Sequence, residues 1–176
     1  GYAAGTVPAA AEAAVAHAPV IWMLGKVQSG KSSIVKAVTG ASDAEIGSGF
    51  RPCTRTAAVF DYPAEAPLVR FLDTRGLGEA GYDASEDIAV AMAQAHLLLV
   101  VMRAMDHAQD EIVRIVREAR QRHPGWPVLV AQTCLHDAYP AGMGHVVPYP
   151  YGGDIAGDAR VPEALWRSLT LQRKLL

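Results

Sequence analysis

The segment from Val20 to Ser33 constrains the fold of this chain more than any other. An apolar run of strand length stops at a glycine, a short loop follows, and Gly30-Lys31-Ser32 opens a helical stretch. This is the pattern G-x-x-x-x-G-K-S between a strand and a helix. Glycines let the backbone turn sharply and approach phosphate oxygens closely, and amides backed by a helix N-terminus bind anions. The segment therefore predicts a phosphate-binding loop and, with it, nucleotide binding.

Two side chains of this loop carry specific chemistry. Lys31 can reach the β- and γ-phosphates as a mobile charge, and the Ser32 hydroxyl can ligate Mg²⁺. The candidate nucleotide-binding residues of the loop are Gly25, Lys26, Val27, Gln28, Ser29, Gly30, Lys31, Ser32 and Ser33.

Composition limits the class of protein. The chain has 176 residues, of which 51% are hydrophobic, enough for the core of one globular domain. A net charge of −2 gives no reason to propose nucleic acid or an anionic membrane as a partner, and no apolar run reaches the roughly 18 residues of a membrane span. Two cysteines without a paired motif and the lack of an evident secretion signal predict a reducing, cytoplasmic location.

The pattern along the chain predicts alternating strands and helices. Residues 1–18 are rich in alanine and are expected to form a lead-in helix or a linker, and residues 19–176 the globular domain. Predicted strands follow the loop helix at Ala57–Tyr62, Leu68–Leu72, Leu97–Met102 and Pro127–Gln132, whereas residues 41–52 are predicted to be irregular. The apolar run Leu97–Met102 is typical of a central strand, and Pro127–Gln132 is also predicted to be buried. The spacing of Ile112, Val116 and Ala119 predicts a helix over Asp106–His123, and Pro162–Leu176 is predicted to form a last helix. This alternation predicts a three-layer α/β domain whose sheet is mostly parallel, with one antiparallel edge strand from the first two of these strands.

A second candidate site follows the strand that ends at Leu72. Asp73 is placed at the carboxyl end of that strand, and Gly76 comes three residues later. An aspartate there can hold Mg²⁺ through a water, and the amide of Gly76 can meet a γ-phosphate. The two positions lie one hairpin downstream of the phosphate loop, where a metal-binding carboxylate is needed.

Together these motifs resemble those of a known superfamily. Gly25–Ser32, Thr54 and Asp73–Gly76 resemble, in order and spacing, the first three motifs of the small P-loop GTPases. The stretch from Asp73 to Glu79 is most similar to the Era/TrmE-like branch of bacterial GTPases, of the MMR/HSR1 type. The resemblance runs from about Val20 to Ala138.

The resemblance implies Mg²⁺-dependent hydrolysis of GTP to GDP and a switch between two loop states. The metal would be held by Ser32, Thr54 and Asp73, with Thr56 as a second choice for the threonine. The implied catalytic residues are Lys31, Thr54, Gly76 and Glu79, the last acting on the attacking water at a distance.

Departures from the family pattern concern hydrolysis. Leu77 occupies the place of the water-orienting glutamine of Ras-like proteins, so a low intrinsic rate is expected. Gln28 replaces an asparagine that the TrmE branch associates with K⁺, which leaves activation by K⁺ open. Arg55 and Arg75 fall in the two switch stretches and are candidates for charge stabilisation in cis or across a dimer.

The base-reading motif is degenerate. Family members place asparagine or threonine, lysine, any residue and aspartate after the strand that ends here at Gln132. Thr133 fits this pattern, His136 stands where the aspartate belongs, and Asp137 comes one place late and would serve only if the loop bulges. A histidine cannot duplicate the paired acceptors of a carboxylate. Thr133, His136 and Asp137 are the candidate base contacts, and ATP remains an alternative substrate.

The same motifs also fit a protein that is not primarily an enzyme. This would be a nucleotide-dependent interaction module with little hydrolysis, which binds a protein partner or a second copy. The family also places a further strand and helix after the predicted last helix, so we expect the domain to be incomplete at its C-terminus. Cys134, His136 and His145 match no standard zinc spacing.

Overall fold

The computed structural model describes residues 6–54, 57–74, 84–143, 146, 150 and 158–176, and the fold is given for these. One sheet runs through the domain. Its strands are β1 (Val20–Gly25), β2 (Phe50–Pro52), β3 (Ala58–Tyr62), β4 (Val69–Asp73), β5 (Leu97–Arg103) and β6 (Val128–Thr133). The helices are α1 (Thr6–His17), α2 (Lys31–Thr39), α3 (Asp43–Gly49), α4 (Ser85–Gln94), α5 (Asp110–Arg122) and α6 (Glu163–Leu175), with a 3₁₀ turn at Leu135–Ala138.

The sheet is mixed, with strand order β2-β3-β4-β1-β5-β6. Strands β4, β1, β5 and β6 are parallel, and β3 runs antiparallel to β4 with Val59 opposite Leu72. The predicted α/β class and the antiparallel hairpin are therefore confirmed. The antiparallel strand β3 is second from the edge, because the short β2 pairs outside it with Phe50 opposite Phe60.

Side chains of β1 alternate between two cores and so define the three layers. Trp22 and Leu24 are fully buried with residues of α4 and α5 on one face. Met23 is buried on the other face, with Val35 of α2 and Ile46 of α3. Strand β5 has no such alternation in the sequence, since Leu98 and Val100 to Met102 are all apolar and completely buried.

Residues 41–52 were expected to be irregular and are not. They form α3 and β2, and the start of α3 is a capping box: the Ser42 hydroxyl accepts the Glu45 amide at 3.2 Å, and the Glu45 carboxylate accepts the Ser42 amide at 2.6 Å. This S-x-x-E signature stabilises a helix start locally. The prediction was wrong because the glycines and serines of this stretch are typical of an irregular loop, whereas the helix start is marked by the capping box alone.

Strand β6 was predicted to be buried, yet Leu129 and Val130 are 55% and 41% exposed. The reason is its position at the edge, since among the described residues it pairs only with β5. Helix α6 packs nearby, where Leu165 and Leu169 are buried with Ala104. Within the described part of the chain, no helix has the length and apolar character needed to cross a bilayer.

Candidate functional site

The carboxyl ends of the four parallel strands meet at one edge of the sheet. In register, Met23 of β1 lies opposite Asp73 of β4, Gly25 opposite Val101 of β5, and Arg103 of β5 opposite Thr133 of β6. Strand β1 is flanked by β4 on one side and β5 on the other, which makes this end the topological switch point where α/β sheets bind ligands. All the described candidate residues of the phosphate loop lie here.

The loop from Gly25 to Gly30 is shaped by two glycines. A Cβ added to Gly25 would lie 2.6 Å from the carbonyl oxygen of Val101 and 2.7 Å from Ser29 Oγ, so no larger residue fits. Gly30 has φ +96° and Gln28 has φ +58°, both in the left-handed region. A left-handed residue directly before a helix forms a concave nest of amides that binds anions, and α2 begins at Lys31. A groove of about 400 Å³ lies at this point, lined by Val27, Gln28, Ser29, Gly30, Lys31, Ser32, Ser33 and Asp73.

Lys31 is held underneath the loop. Its side chain is 9% exposed, and its ammonium donates to the carbonyl oxygens of Gly25 at 3.0 Å and Lys26 at 3.2 Å. The same ammonium lies 3.7 Å from Asp73 Oδ1, which is an ion pair without a hydrogen bond. The arrangement places one positive charge between the loop backbone and the carboxylate.

Asp73 lies at the end of β4, and one of its carboxylate oxygens is buried without a hydrogen-bond partner in the described part of the chain. Burial raises the pKa of its carboxyl from 3.8 to about 6, and the nearby Lys31 charge opposes this rise. Neither Asp73 Oδ1 nor Ser29 Oγ has a hydrogen-bond partner among the described residues. Buried polar atoms without partners are costly. A carboxylate that lines the same groove as the exposed Ser32 residue supplies, with the hydroxyl of that residue, the kind of oxygen donor set that suits Mg²⁺. The site thus fits both a phosphate chain and a hard cation.

Thr54 is not brought to this groove. Its hydroxyl donates to Asp87 Oδ1 of α4 and accepts the Ala57 amide at 2.7 Å. The turn is closed by the amides of Cys53 and Thr54, which donate to the Ala57 carbonyl at 2.9 and 3.2 Å. The predicted metal-ligating threonine is therefore bound to a buried helix residue in this structure.

The loop after β6 makes a compact turn. Cys134 has φ +53°, and the 3₁₀ turn follows at once. Asp137 in that turn pairs with Arg103 at 2.6 Å and with His136 at 3.2 Å. Both oxygens of Asp137 are thus engaged by neighbouring side chains, and the His136 side chain is 67% exposed.

Thr133 contacts the phosphate loop. Its hydroxyl donates to the carbonyl oxygen of Ser29 at 2.6 Å and lies 3.2 Å from that of Met102. Thr133 also faces Gly30, where an added Cβ would come within 3.5 Å of it. Thr133, a candidate base contact in the sequence, therefore stabilises the phosphate loop through a hydrogen bond.

Several predicted site residues lie outside the described residues: Thr56, Gly76, Leu77, Glu79, Arg55, Arg75 and His145. Within the described ranges, no cluster of three or more metal-ligating side chains is present. Asp73 and Ser32 are therefore the metal-ligand candidates whose place at the groove is known.

Comparison with known proteins decides the family. A family model described as "50S ribosome-binding GTPase" matches residues 20–132, well over half of the chain. The chain belongs to this GTPase family. It is thus a P-loop GTPase domain, and membership implies a guanine nucleotide as its ligand. No curated protein matches it significantly in sequence.

A solved structure agrees with the fold of this GTPase domain. The ADP-ribosylation-factor-like GTP-binding protein, small COPII coat GTPase SAR1, from Encephalitozoon cuniculi in complex with GDP matches with a TM-score of 0.55 at 14% identity. The match covers 97% of this chain and 66% of that one, so the chain spans just under two thirds of the SAR1 length. The G domain of the T. maritima FeoB iron transporter matches with a TM-score of 0.43 at 18% identity, over 69% of this chain and 76% of that one.

Three contacts of the GTPase domain were missed from the sequence. Asp106 binds Lys26 of the phosphate loop at 2.7 Å, Asp87 binds Thr54, and the buried Thr74 hydroxyl accepts the Trp22 indole N–H at 3.3 Å. These pairs are 80, 33 and 52 residues apart. Of these residues, only Thr74 could have been linked to the site from the sequence, because it directly follows Asp73.

Proposed function

We propose that this domain hydrolyses GTP to GDP and phosphate with Mg²⁺, as an Era/TrmE-type switch. The observation that supports this most is the groove in which Lys31 lies beside Asp73, whose buried oxygen has no hydrogen-bond partner among the described residues. A cation and an under-satisfied carboxylate at the N-terminus of α2 suit a metal-bound polyphosphate.

Each residue has a proposed role. The amides of 25–33 hold the phosphate chain, and Lys31 offsets the charge that develops on the transferred phosphoryl group. Ser32 and Asp73 are the proposed metal ligands, with Thr54 joining them in the triphosphate state. Bound Mg²⁺ would neutralise phosphate charge. The Gly76 amide would meet the γ-phosphate, and Glu79 would help to place the attacking water.

A single-turnover experiment tests this function. We expect Lys31→Ala to lower the rate of phosphate release from GTP in Mg²⁺ by about 10²–10³-fold, because it removes the charge next to the transferred group. Lys36→Ala is the matched control, since Lys36 lies on the same helix, is 49% exposed and pairs with Asp43. Unchanged turnover of Lys31→Ala would remove the phosphate loop from the mechanism.

A second candidate function is a nucleotide-dependent interaction module with little or no hydrolysis, acting on a protein partner or a second copy. The contact of Thr54 with Asp87 favours it, because this contact holds the threonine away from the groove. Leu77 in place of a glutamine favours it too. Phosphate release measured with and without K⁺, and at high protein concentration, separates the two functions. A rate that stays near zero in all conditions supports the module.

The nucleotide base is a separate question. The contacts of Asp137 with Arg103 and His136 occupy the carboxylate that would read guanine, and this keeps an ATPase as an alternative. Guanine offers two neighbouring donors, which a carboxylate with two free acceptors recognises best. Competition of fluorescent GDP by ATP and by GTP decides between them: equal competition would support the ATPase.

A further inference from the structure

A hydrogen bond links one of the two segments expected to switch to the helix that follows the other. Thr54 lies in the turn before β3, and Asp87 lies in the first turn of α4, the helix that follows the Asp73–Glu79 stretch. The Thr54 hydroxyl donates to Asp87 Oδ1, and Asp87 is only 1% exposed. A buried carboxylate near a helix N-terminus is electrostatically favoured there. Asp87 is therefore favourably placed as a charged acceptor for the Thr54 hydroxyl.

This contact competes with the proposed role of Thr54. The Thr54 hydroxyl donates its proton to Asp87 and accepts the Ala57 amide at 2.7 Å, and both partners hold it at the turn before β3. The groove at the phosphate loop is lined by residues 27–33 and Asp73, without Thr54. To join Ser32 and Asp73 at a metal, the Thr54 hydroxyl has to move from this turn to the groove, which breaks its contact with the buried Asp87. The contact is therefore absent from the proposed triphosphate state.

We propose that Asp87 is a positioning residue that sets the preference of this site between nucleoside diphosphate and triphosphate. The inference rests on the proposed function, since it assigns the Thr54 hydroxyl to the metal in the triphosphate state. A contact present in only one of two states changes the free-energy difference between them by its own free energy, and so shifts their populations. Hydrogen bonds to charged groups are strong enough to shift a binding ratio by about ten- to a hundredfold.

The two partners of this hydrogen bond should then have opposite effects on triphosphate binding. Asp87→Ala removes the competing acceptor, so we expect it to tighten binding of a non-hydrolysable GTP analogue about tenfold relative to GDP. Thr54→Val removes the proposed ligand, so we expect it to weaken binding of the analogue while GDP binding changes little. A hydrogen bond that only stabilised the fold would shift both variants in the same direction.

The experiment uses the full chain, with fluorescent GDP and a fluorescent non-hydrolysable GTP analogue titrated in excess Mg²⁺ and again in EDTA. Thr54→Ser keeps the hydroxyl and should restore the wild-type ratio of the two dissociation constants. Glu86→Ala is the matched control, because it removes an exposed carboxylate from the same helical turn. If Asp87→Ala does not fold, Asp87→Asn replaces it, and we expect a smaller shift in the same direction.

The possible results separate this inference from the proposed function. If Asp87→Ala leaves the ratio unchanged, or if it and Thr54→Val move it in the same direction, the role of Asp87 is overturned while nucleotide binding stands. If the wild-type chain binds neither nucleotide in Mg²⁺, the proposed function fails and the inference fails with it. Opposite shifts that vanish in EDTA support the inference, because they require the metal.

Discussion

Asp73 combines a proposed functional role with a cost to the fold. Burial raises the pKa of its carboxyl to about 6, above the ordinary 3.8. Between about pH 4 and pH 6 the Asp73 carboxyl is therefore mostly protonated in the folded chain and mostly ionised in the unfolded chain. The free energy of unfolding consequently falls as the pH rises through this window. A ligand site that is unfavourable without its ligand is common where function requires a buried charge.

From this we expect Asp73→Asn to be more stable than the wild type at pH 7.5 without nucleotide or metal. The gain should be about 1–3 kcal/mol, because the difference in pKa corresponds to roughly 1.4 kcal/mol per unit. Near pH 4 the two proteins should unfold at the same urea concentration. Asp43→Asn serves as the control, since the Asp43 side chain is 84% exposed. A less stable Asp73→Asn at pH 7.5 would contradict this prediction.

Single residues of the site differ in how far the sequence could predict them. Gly25, Lys31 and Asp73 were predictable because each follows from a local pattern at the end of a strand. The orientation of Thr54 was not, because it depends on Asp87 in a helix 33 residues away. The same holds for Asp137, whose pairing with Arg103 follows from the turn at Leu135–Ala138 rather than from motif spacing.

Helix α6 donates hydrogen bonds to backbone carbonyls at the end of β5 and in the connection from β5 to α5, which lie next to the site. The Gln172 amide group lies 2.8, 3.3 and 3.2 Å from the carbonyl oxygens of Arg103, Ala104 and Asp106. Ser168 also donates to the Ala104 carbonyl. Asp106 in turn holds Lys26 of the phosphate loop. The helix thus supports, through a polar contact, the backbone that positions the loop.

We therefore expect Gln172→Ala to lower the free energy of unfolding by about 1–3 kcal/mol, since it removes the hydrogen bonds of a buried amide group to three backbone carbonyl oxygens. Gln121→Ala, at an exposed position of α5, should change stability by less than about 0.5 kcal/mol. Urea denaturation of both variants measures the difference. Equal stability of the two variants would show that Gln172 contributes nothing to the attachment of α6.

Elements were predicted best where apolar periodicity is strong. The run Leu97–Met102 identified a central strand, and the spacing of Ile112, Val116 and Ala119 identified α5. The short α3 was missed because its start depends on one capping box. The exposure of β6 was missed because a strand's place in the sheet is set by its pairing and not by its own residues.

At the scale of the whole molecule, the parallel strands bring distant groups to one edge. Lys31, Asp73 and Thr133 follow or end different strands, and their side chains converge on the phosphate loop. The order of strands around β1 explains why, since β4 and β5 flank it on opposite sides. Binding of a nucleotide at this edge would therefore join segments that lie far apart in the sequence.

A ligand that joins these segments should stabilise the entire domain. With GDP at about a hundred times its dissociation constant in Mg²⁺, linkage predicts a gain of about 2.7 kcal/mol, which corresponds to a rise in Tm of roughly 5–10 °C for a domain of this size. Removing the metal with EDTA should lower this rise, and Lys31→Ala should abolish it because the phosphate contact is gone. Thermal unfolding with GDP, and with ADP as the comparison, measures both effects. An equal rise in Lys31→Ala would mean that the nucleotide binds elsewhere on the domain.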